Sequence, residues 1–308
     1  MLDVLASGYP SLDHIIPVSN SPGEGESATI YELPSLVRAT DGGCGPNVAV
    51  GLARMGLKAG VATIIGDDEA GVLYRSRLAA QGVDIADVIT VPGTQTSRAF
   101  MFRNPEGEYQ IFFFAGAADA WAGQLTLNNL NHLRYGLLTV APATYNRQFV
   151  ELLRPMGIPL LWQLKSTIVS FPPQAVAYFA QASRVILMNH VEAVYIKEAL
   201  DLDHIEELIN EETQVLILTL GKWGSRVITA DARHNIEAVP TEVVDTTGAG
   251  DAFTAGFLAG MLKGYDLPIS ARIGSVVASF VLEVVGCQIN LPLWETMRRR
   301  YLSHYGEL

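Results

Sequence analysis

The part of this 308-residue chain best suited to do chemistry is the segment VVDTTGAGDAFTAGFLAG, residues 243–260. Its opening valines are predicted to end a strand, residues 248–250 to form a Gly-Ala-Gly turn, and the apolar residues that follow to form a helix. Backbone N–H groups at a helix start lack intrahelical partners and, with the helix dipole, attract an anion such as phosphate. Glycines at this place let a phosphate approach the backbone closely.

Asp251 follows this turn, and its carboxylate has two possible roles. In one, it is an N-cap that accepts a hydrogen bond from the first amides of the helix. In the other, it is a base aimed at a hydroxyl group that lies beside a bound phosphate. The residue types in this segment alone leave both roles open.

Other familiar motifs are missing from the sequence. It has no GxxxxGK[ST] P-loop, and GAGDAF lacks the third glycine of the GxGxxG fingerprint, which argues against an NAD-dependent oxidoreductase. It also has no HExxH or CxxC metal motif and no Gly-x-Ser-x-Gly nucleophile elbow.

Composition and charge narrow the class of protein. Apolar residues make up 49% of the chain and charged residues 17%, which predicts a large buried core and excludes a disordered protein. A net charge of −11 argues against nucleic acid as a partner, and no apolar run is long enough to span a membrane. The first basic residue is Arg38, and Cys44 and Cys287 have no metal-ligand spacing, so we expect a reduced, cytoplasmic protein.

Strand-like and helix-like segments alternate along the chain, which predicts an α/β protein with a mostly parallel sheet. The opening LDVLASGYPSLDHIIPV is interpreted as a buried strand running into a polar turn, and IEELINEE as a helix. SRAFMFRNPEGEYQIFFF predicts a β-hairpin with its turn at residues 104–107, projecting from the main sheet. The second hairpin strand carries Phe112, Phe113 and Phe114 on both faces, so a ligand, the main domain or another subunit must cover it.

Four segments in order resemble motifs of the PfkB family of carbohydrate kinases. They are DGGCGPNVAVGLARMG, MNHVE, TLGKWGS and VVDTTGAGDAFTAGF. The resemblance covers essentially the whole chain and implies one three-layer ribokinase-like domain over residues 1–308. It further implies a small β lid built from about residues 14–40 and 92–116, and a homodimer formed through that lid.

The resemblance also implies roles for individual residues. Asp251 would be the catalytic base, and the turn of Gly248, Ala249 and Gly250 would surround the transferring phosphoryl group, which needs mainly positioning and charge stabilisation. The acceptor would bind at residues that follow the first strand and at the glycine pair. These residues are Asp13, Gly42, Gly43 and Asn47.

ATP would be the phosphate donor, with Mg²⁺. Asn189 and Glu192 resemble the pair that organises magnesium-bound water. The nucleotide would also contact Thr219, Gly221, Gly248 and Gly250, and Asp245 and Thr247 correspond to a monovalent-cation site of some relatives, where K⁺ is the expected ion. One departure is Gln163, which lies near a position where many relatives carry an acidic residue.

The acceptor is predicted less sharply than the reaction. The sequence favours a small sugar by a narrow margin, and the alternative is a nucleoside, since the aromatic lid segment GEYQIFFFAGAADAW is similar to segments of adenosine and other nucleoside kinases. A third hypothesis is a regulator that binds nucleotide or sugar without turnover. An intact Asp251 argues against this third hypothesis because binding alone does not need a base.

Overall fold

The structure is a computed structural model that describes residues 1–128, 130–165 and 170–308. Its strands are β1 (Val4–Ser7), β2 (Ser11–Pro17), β3 (Thr40–Gly42), β4 (Ala59–Gly66), β5 (Asp84–Val91), β6 (Arg98–Arg103), β7 (Tyr109–Phe114), β8 (Tyr135–Leu138), β9 (Leu160–Gln163), β10 (Val185–Asn189), β11 (Val215–Thr219), β12 (Ser225–Ile228) and β13 (Arg233–Ile236). Its α-helices are α1 (Cys44–Arg54), α2 (Glu69–Ala80), α3 (Ala117–Ala120), α4 (Ala143–Leu153), α5 (Pro173–Ala182), α6 (His190–Leu200), α7 (Ala249–Leu262), α8 (Leu267–Leu282) and α9 (Trp294–Tyr305).

A nine-stranded sheet in the order β13-β12-β11-β10-β9-β8-β1-β4-β5 forms the centre of the molecule. It is parallel except for β12 and β13, which add an antiparallel hairpin at one edge. Alternate residues of β4 enter different cores: Val61 and Ile65 belong to the core that includes residues of α1, α7 and α8, whereas Ala62 and Ile64 belong to the core that includes residues of α4, α5 and α6. Because helices cover both faces, the inner strands are continuously apolar, and the predicted three-layer α/β fold is confirmed.

A second, four-stranded sheet in the order β3-β2-β6-β7 forms the lid. The predicted hairpin is present as β6 and β7, and the amide of Gly107 donates to the carbonyl of Asn104 across its turn. The opening segment differs from the prediction, because residues 11–17 form β2 of the lid and not a turn. The segment forms a strand because it pairs with β6 on one side and with β3 on the other, and most of its residues are buried as a result.

Two further local predictions were wrong. IEELINEE contains only a 3₁₀ turn over Ile205–Leu208, because its exposed acidic residues offer little apolar surface for a longer helix to bury. Val243 and Val244 lie in a loop and are 57% and 40% exposed. Their β-branched side chains favour a strand, but the structure gives them no strand partner within the described residues.

Helix α7 is held against α8 by close approach of their backbones. A Cβ atom added at Gly256 would lie 2.8 Å from the Cα of Gly274, and one added at Gly260 would lie 2.7 Å from the Cα of Ser270. The small residues of α7 therefore allow the close approach of the two helices. This packing positions the N-terminus of α7, which carries the Gly-Ala-Gly turn and Asp251.

Candidate active site

The carboxyl ends of three neighbouring parallel strands place polar side chains at one edge of the central sheet. Gln163 ends β9, Asn189 ends β10 and Thr219 ends β11, and Asn189 lies beside Thr219 in register. The start of α7 meets the same edge, because the side chain of Gln163 is hydrogen bonded to Asp251. Ligand sites of open α/β sheets form at such edges.

The turn before α7 presents free backbone donors. Gly248 adopts the left-handed conformation with φ 79°, and a Cβ atom there would lie 2.8 Å from the Cβ of Cys287, so only glycine fits. Among the described residues, no acceptor partners the amides of Gly250 and Asp251, whereas the Ala249 amide donates to the carbonyl of Thr246 at 3.3 Å. A Cβ atom built at Gly250 would meet nothing within 4 Å, so its side of the turn is open. Two free amides at a helix start suit a phosphate oxygen.

The carboxylate of Asp251 is buried and turned away from its own helix. Its Oδ2 accepts a hydrogen bond from Nδ2 of Asn47 at 2.7 Å, and its Oδ1 accepts one from Nε2 of Gln163 at 2.5 Å. The N-cap position belongs to Gly248, which makes no side-chain cap, so the N-cap interpretation of Asp251 was wrong. Burial raises the pKa of Asp251 above its usual range, and the Asn47 amide, the Lys165 charge and the Gln163 amide oppose this rise.

Asn47 is fixed by a second amide. Its Oδ1 accepts a hydrogen bond from Nε2 of Gln288 at 2.8 Å, which directs its Nδ2 toward Asp251. Asn47 was predicted from the family resemblance to bind the acceptor, and in this structure its carboxamide is engaged by Asp251 and Gln288. The sequence offered no sign of this contact, because Asn47 and Asp251 are 204 residues apart.

Asp13 and the glycine pair form another wall of the cleft. Asp13 is buried on β2 beside Ser11, whose hydroxyl donates to its carboxylate. Burial raises the pKa of Asp13 to about 6, and the nearby Asp251 carboxylate adds to this rise. A Cβ atom at Gly42 would lie 2.1 Å from Oδ2 of Asp13, and Gly43 has φ 95°, so both positions require glycine. The carboxylates of Asp13 and Asp251 therefore influence each other electrostatically.

Lys165 is a cleft residue that the sequence interpretation missed. It follows β9 by two residues, its side chain is exposed, and its charge lowers the pKa of Asp13, Asp251 and Glu192 against the rise that burial causes in each. A lysine directly after an apolar strand was the available signal. In the sequence alone it resembles any surface lysine. Its effect on the pKa of three carboxyl groups becomes visible only in the folded structure.

Asn189 and Glu192 form the first turn of α6 as a capping box. Oδ1 of Asn189 accepts from the amides of Val191 and Glu192, and Oε2 of Glu192 accepts from the amide of Asn189 at 2.7 Å. The two are therefore structural partners and not unrelated surface residues. Glu192 is 8% exposed, and burial raises its pKa to about 7; a cation placed beside it would favour its ionised form.

The remaining predicted residues lie around the same edge. Gly221 begins a 3₁₀ turn directly after β11 with φ 58° and open space around it. Asp245 is 3% exposed, and its carboxylate accepts from the amides of Thr247 and Gly286 and from the hydroxyl of Tyr109 on the lid. Asp245 thus pins the turn before α7 and ties it to the lid hairpin. Within the described residues, no three His, Cys, Asp or Glu side chains are grouped as metal ligands.

A profile described as pfkB family carbohydrate kinase matches residues 8–294. The chain belongs to this family. The prediction of an ATP-dependent sugar or nucleoside kinase is thereby confirmed for this PfkB kinase. In the described part of the chain, no helix is both long and apolar enough to cross a membrane.

Named relatives share the whole length of this PfkB kinase. It is 31% identical to a nucleoside kinase of Methanothermobacter thermautotrophicus, with 99% of this chain and 97% of the relative covered. The crystal structure of the Methanocaldococcus jannaschii nucleoside kinase, an archaeal member of the ribokinase family, superposes with a TM-score of 0.87 at 26% identity and covers 98% of this chain and 99% of the other. The Burkholderia thailandensis nucleoside kinase in complex with ADP-inosine has a TM-score of 0.84 at 23% identity, covering 99% and 96%, and shows likeness of fold. The predicted ribokinase-like fold is confirmed.

The raised pKa of Glu192 predicts how the stability of the metal-free protein depends on pH. Its folded-state pKa of about 7 exceeds its ordinary value of 4.5, so its contribution to stability is complete below pH 4.5 and is lost as the pH rises through 7. We expect Glu192→Gln to be more stable than the wild type by up to about 3 kcal/mol above pH 7, with the difference vanishing toward pH 4.5.

Chemical denaturation without Mg²⁺ across this pH range measures the difference in the free energy of unfolding. Glu198→Gln, an exposed change on the same helix, is the matched control and should leave the curve unchanged. Parallel curves for wild type and Glu192→Gln would show that Glu192 has no raised pKa.

Proposed function

We propose that this PfkB kinase transfers the γ-phosphoryl group of Mg-ATP to the hydroxymethyl group of a ribonucleoside, with Asp251 as the base. The observation that carries the proposal is the buried Asp251 carboxylate beside the open amides of the 248–251 turn. The acceptor oxygen attacks the γ-phosphorus, its proton passes to Asp251, and the bond from the γ-phosphorus to the bridging oxygen breaks to release ADP. The free amides of Gly250 and Asp251 stabilise the charge on the phosphoryl oxygens.

Cations complete the proposed donor site. Asn189 and Glu192 would hold Mg²⁺ through its water shell, and the positive charge of the ion would favour the ionised form of the buried Glu192 carboxyl. The bound Mg²⁺ would neutralise part of the negative charge of the ATP phosphates. Asp245 and Thr247 lie where K⁺ is expected, at the turn they already brace. The use of ATP is consistent with a cytoplasmic enzyme.

Lys165 adds a positive charge to the same cleft. Its charge lowers the pKa of both the proposed base Asp251 and the proposed magnesium partner Glu192. We propose that it offsets the negative charge of the transferring phosphoryl group, as a mobile ammonium group can.

The lid supports a nucleoside over a free sugar as acceptor. In-register pairing puts Ala99 and Phe113 on the same face as Asp13, with Met101 and Ile111 one step further along. Phe113 is 48% exposed, and its ring packs edge-on against Tyr9 at 5.1 Å. The exposed side chains of Phe113 and Ile111 on the face that carries Asp13 suit the flat ring of a nucleobase, which a free sugar lacks. The relative at 31% identity, a nucleoside kinase, favours the same choice.

The opposite face of the lid supports a homodimer. Phe100, Phe102, Phe112 and Phe114 share this face, and Phe112 and Phe114 on the edge strand β7 are 61% and 44% exposed. We propose that a second copy of the chain covers these phenylalanines, because they lie beside the edge of β7 that pairs with no other described strand.

The dimer is tested by sedimentation equilibrium, which should give twice the chain mass of 33.3 kDa. A single chain mass at micromolar concentration would contradict the dimer.

The base is tested by Asp251→Asn. We expect kcat to fall by about 10²–10⁴-fold because the proton acceptor is lost, while the affinity for ATP stays within a few-fold of the wild type. A coupled ADP-release assay with Mg-ATP and a ribonucleoside measures turnover, and calorimetry measures ATP binding. Asp231→Asn, an exposed change in the β12–β13 turn, is the control. Near-normal kcat in Asp251→Asn would remove Asp251 as the base.

The choice of acceptor is tested by Phe113→Ala. We expect kcat/KM for a ribonucleoside to fall by about 5- to 150-fold, since stacking of a base on an aromatic ring contributes about 1–3 kcal/mol. Activity with ribose measured on the same variant is the internal control and should change little. An equal loss with both acceptors would show that Phe113 does not contact the base.

A further inference from the structure

Gln163 is a polar residue at a buried position, and packing alone does not explain why a polar side chain occupies it. It is 8% exposed at the end of β9, and its Nε2 donates to Oδ1 of Asp251 at 2.5 Å. Its Oε1 is buried, and no described residue donates a hydrogen bond to it. A buried amide oxygen without a partner destabilises a fold by about 1–3 kcal/mol. A residue present only for stability would be better replaced by an apolar one of similar size.

The direction of this hydrogen bond follows from the charge of its partner. An ionised carboxylate only accepts hydrogen bonds, so Nε2 of Gln163 must face Asp251 and Oε1 must face away. Asn47 approaches the other oxygen of Asp251 in the same sense, and its orientation is set by Gln288. Two neutral amides therefore hold both oxygens of the carboxylate, and each favours its charged form.

The chemical type of residue 163 matters because its side chain is hydrogen bonded to a buried carboxylate. Burial raises the pKa of Asp251, and the Gln163 amide is one of the groups that oppose this rise. A carboxyl group at the same place would reverse that effect. Two carboxyl groups within hydrogen-bond distance cannot both ionise readily and come to share one proton.

We propose that Gln163 is a positioning residue for phosphoryl transfer, which holds Asp251 ionised and directed into the cleft through its single hydrogen bond. The inference rests on the proposed function, since it gives Gln163 a role only if Asp251 is the base. Other titratable groups also face Asp251, from β2, α1, the segment after β9, α6 and the segment before α9. They are Asp13, Cys44, Lys165, Glu192 and Cys287.

The test is the pH profile of kcat/KM between about pH 5.5 and 9.5 for the wild type, Gln163→Glu and Gln163→Met. In Gln163→Glu the added carboxyl shares a proton with Asp251, so we expect the acid limb to move up by at least about 1 pH unit and the activity lost at pH 7 to recover at high pH. Gln163→Met keeps the volume but removes the donor, and should lower kcat more than it changes KM. Gln214→Glu adds the same charge at an exposed site and serves as the control.

A second readout does not depend on activity. The shared proton gives the carboxyl pair of Gln163→Glu a folded-state pKa above the unfolded value, so stability from this pair is present at low pH and lost as the pH rises. The free energy of unfolding of Gln163→Glu should therefore fall increasingly below that of the wild type above about pH 4.5, whereas Gln214→Glu should not show this trend.

The outcomes separate the two claims. If the wild type turns over no nucleoside or sugar, the proposed function fails and the role of Gln163 fails with it. If the wild type is active but the pH profiles of Gln163→Glu and Gln163→Met coincide with it, only the positioning role is overturned. A shifted acid limb in Gln163→Glu together with a reduced kcat in Gln163→Met supports the role, and a fold defect would be seen in the unfolding data.

Discussion

The structure depends on one costly feature, a carboxylate taken out of water at the start of a helix. Asp251 is buried, and removing an ionised carboxylate from solvent is unfavourable unless hydrogen bonds and nearby positive charge compensate. Compensation comes from Asn47 on α1, Gln163 on β9 and Lys165 after it. These groups belong to separate elements, so the central sheet and the helix layer that contains α1 and α7 must be in place before the carboxylate is stable in this position.

The lid is attached to the same place. On the hairpin, Tyr109 donates to the carboxylate of Asp245 and Arg103 donates to the carbonyl of Val244, in the segment that leads into the Gly-Ala-Gly turn. Movement of the lid over the acceptor would therefore displace or strain the turn that is proposed to bind the phosphate. A lid that closes only over a bound acceptor excludes water, which would otherwise compete as acceptor for the phosphoryl group.

The sequence predicted the architecture and the local parts of the site, because these are written in short-range patterns. Apolar strands alternating with helices, the turn before α7 and the Asn-x-x-Glu start of α6 are each contained in a few consecutive residues. The contacts of Asp251 are not, since Asn47 and Gln163 lie 204 and 88 residues away along the chain. Where the pattern failed, burial decided: exposed Val243 and Val244 did not form a strand, and the polar turn expected after the first strand became the buried lid strand β2.

The most direct test of this account is a crystal structure with a ribonucleoside and a non-hydrolysable ATP analogue bound together. We expect the hydroxymethyl oxygen within about 3 Å of an Asp251 carboxylate oxygen, and the γ-phosphate against the amides of Gly250 and Asp251. We also expect the nucleobase against Phe113. A bound acceptor whose hydroxymethyl group points away from Asp251, with the phosphate off the turn, would contradict the central claim.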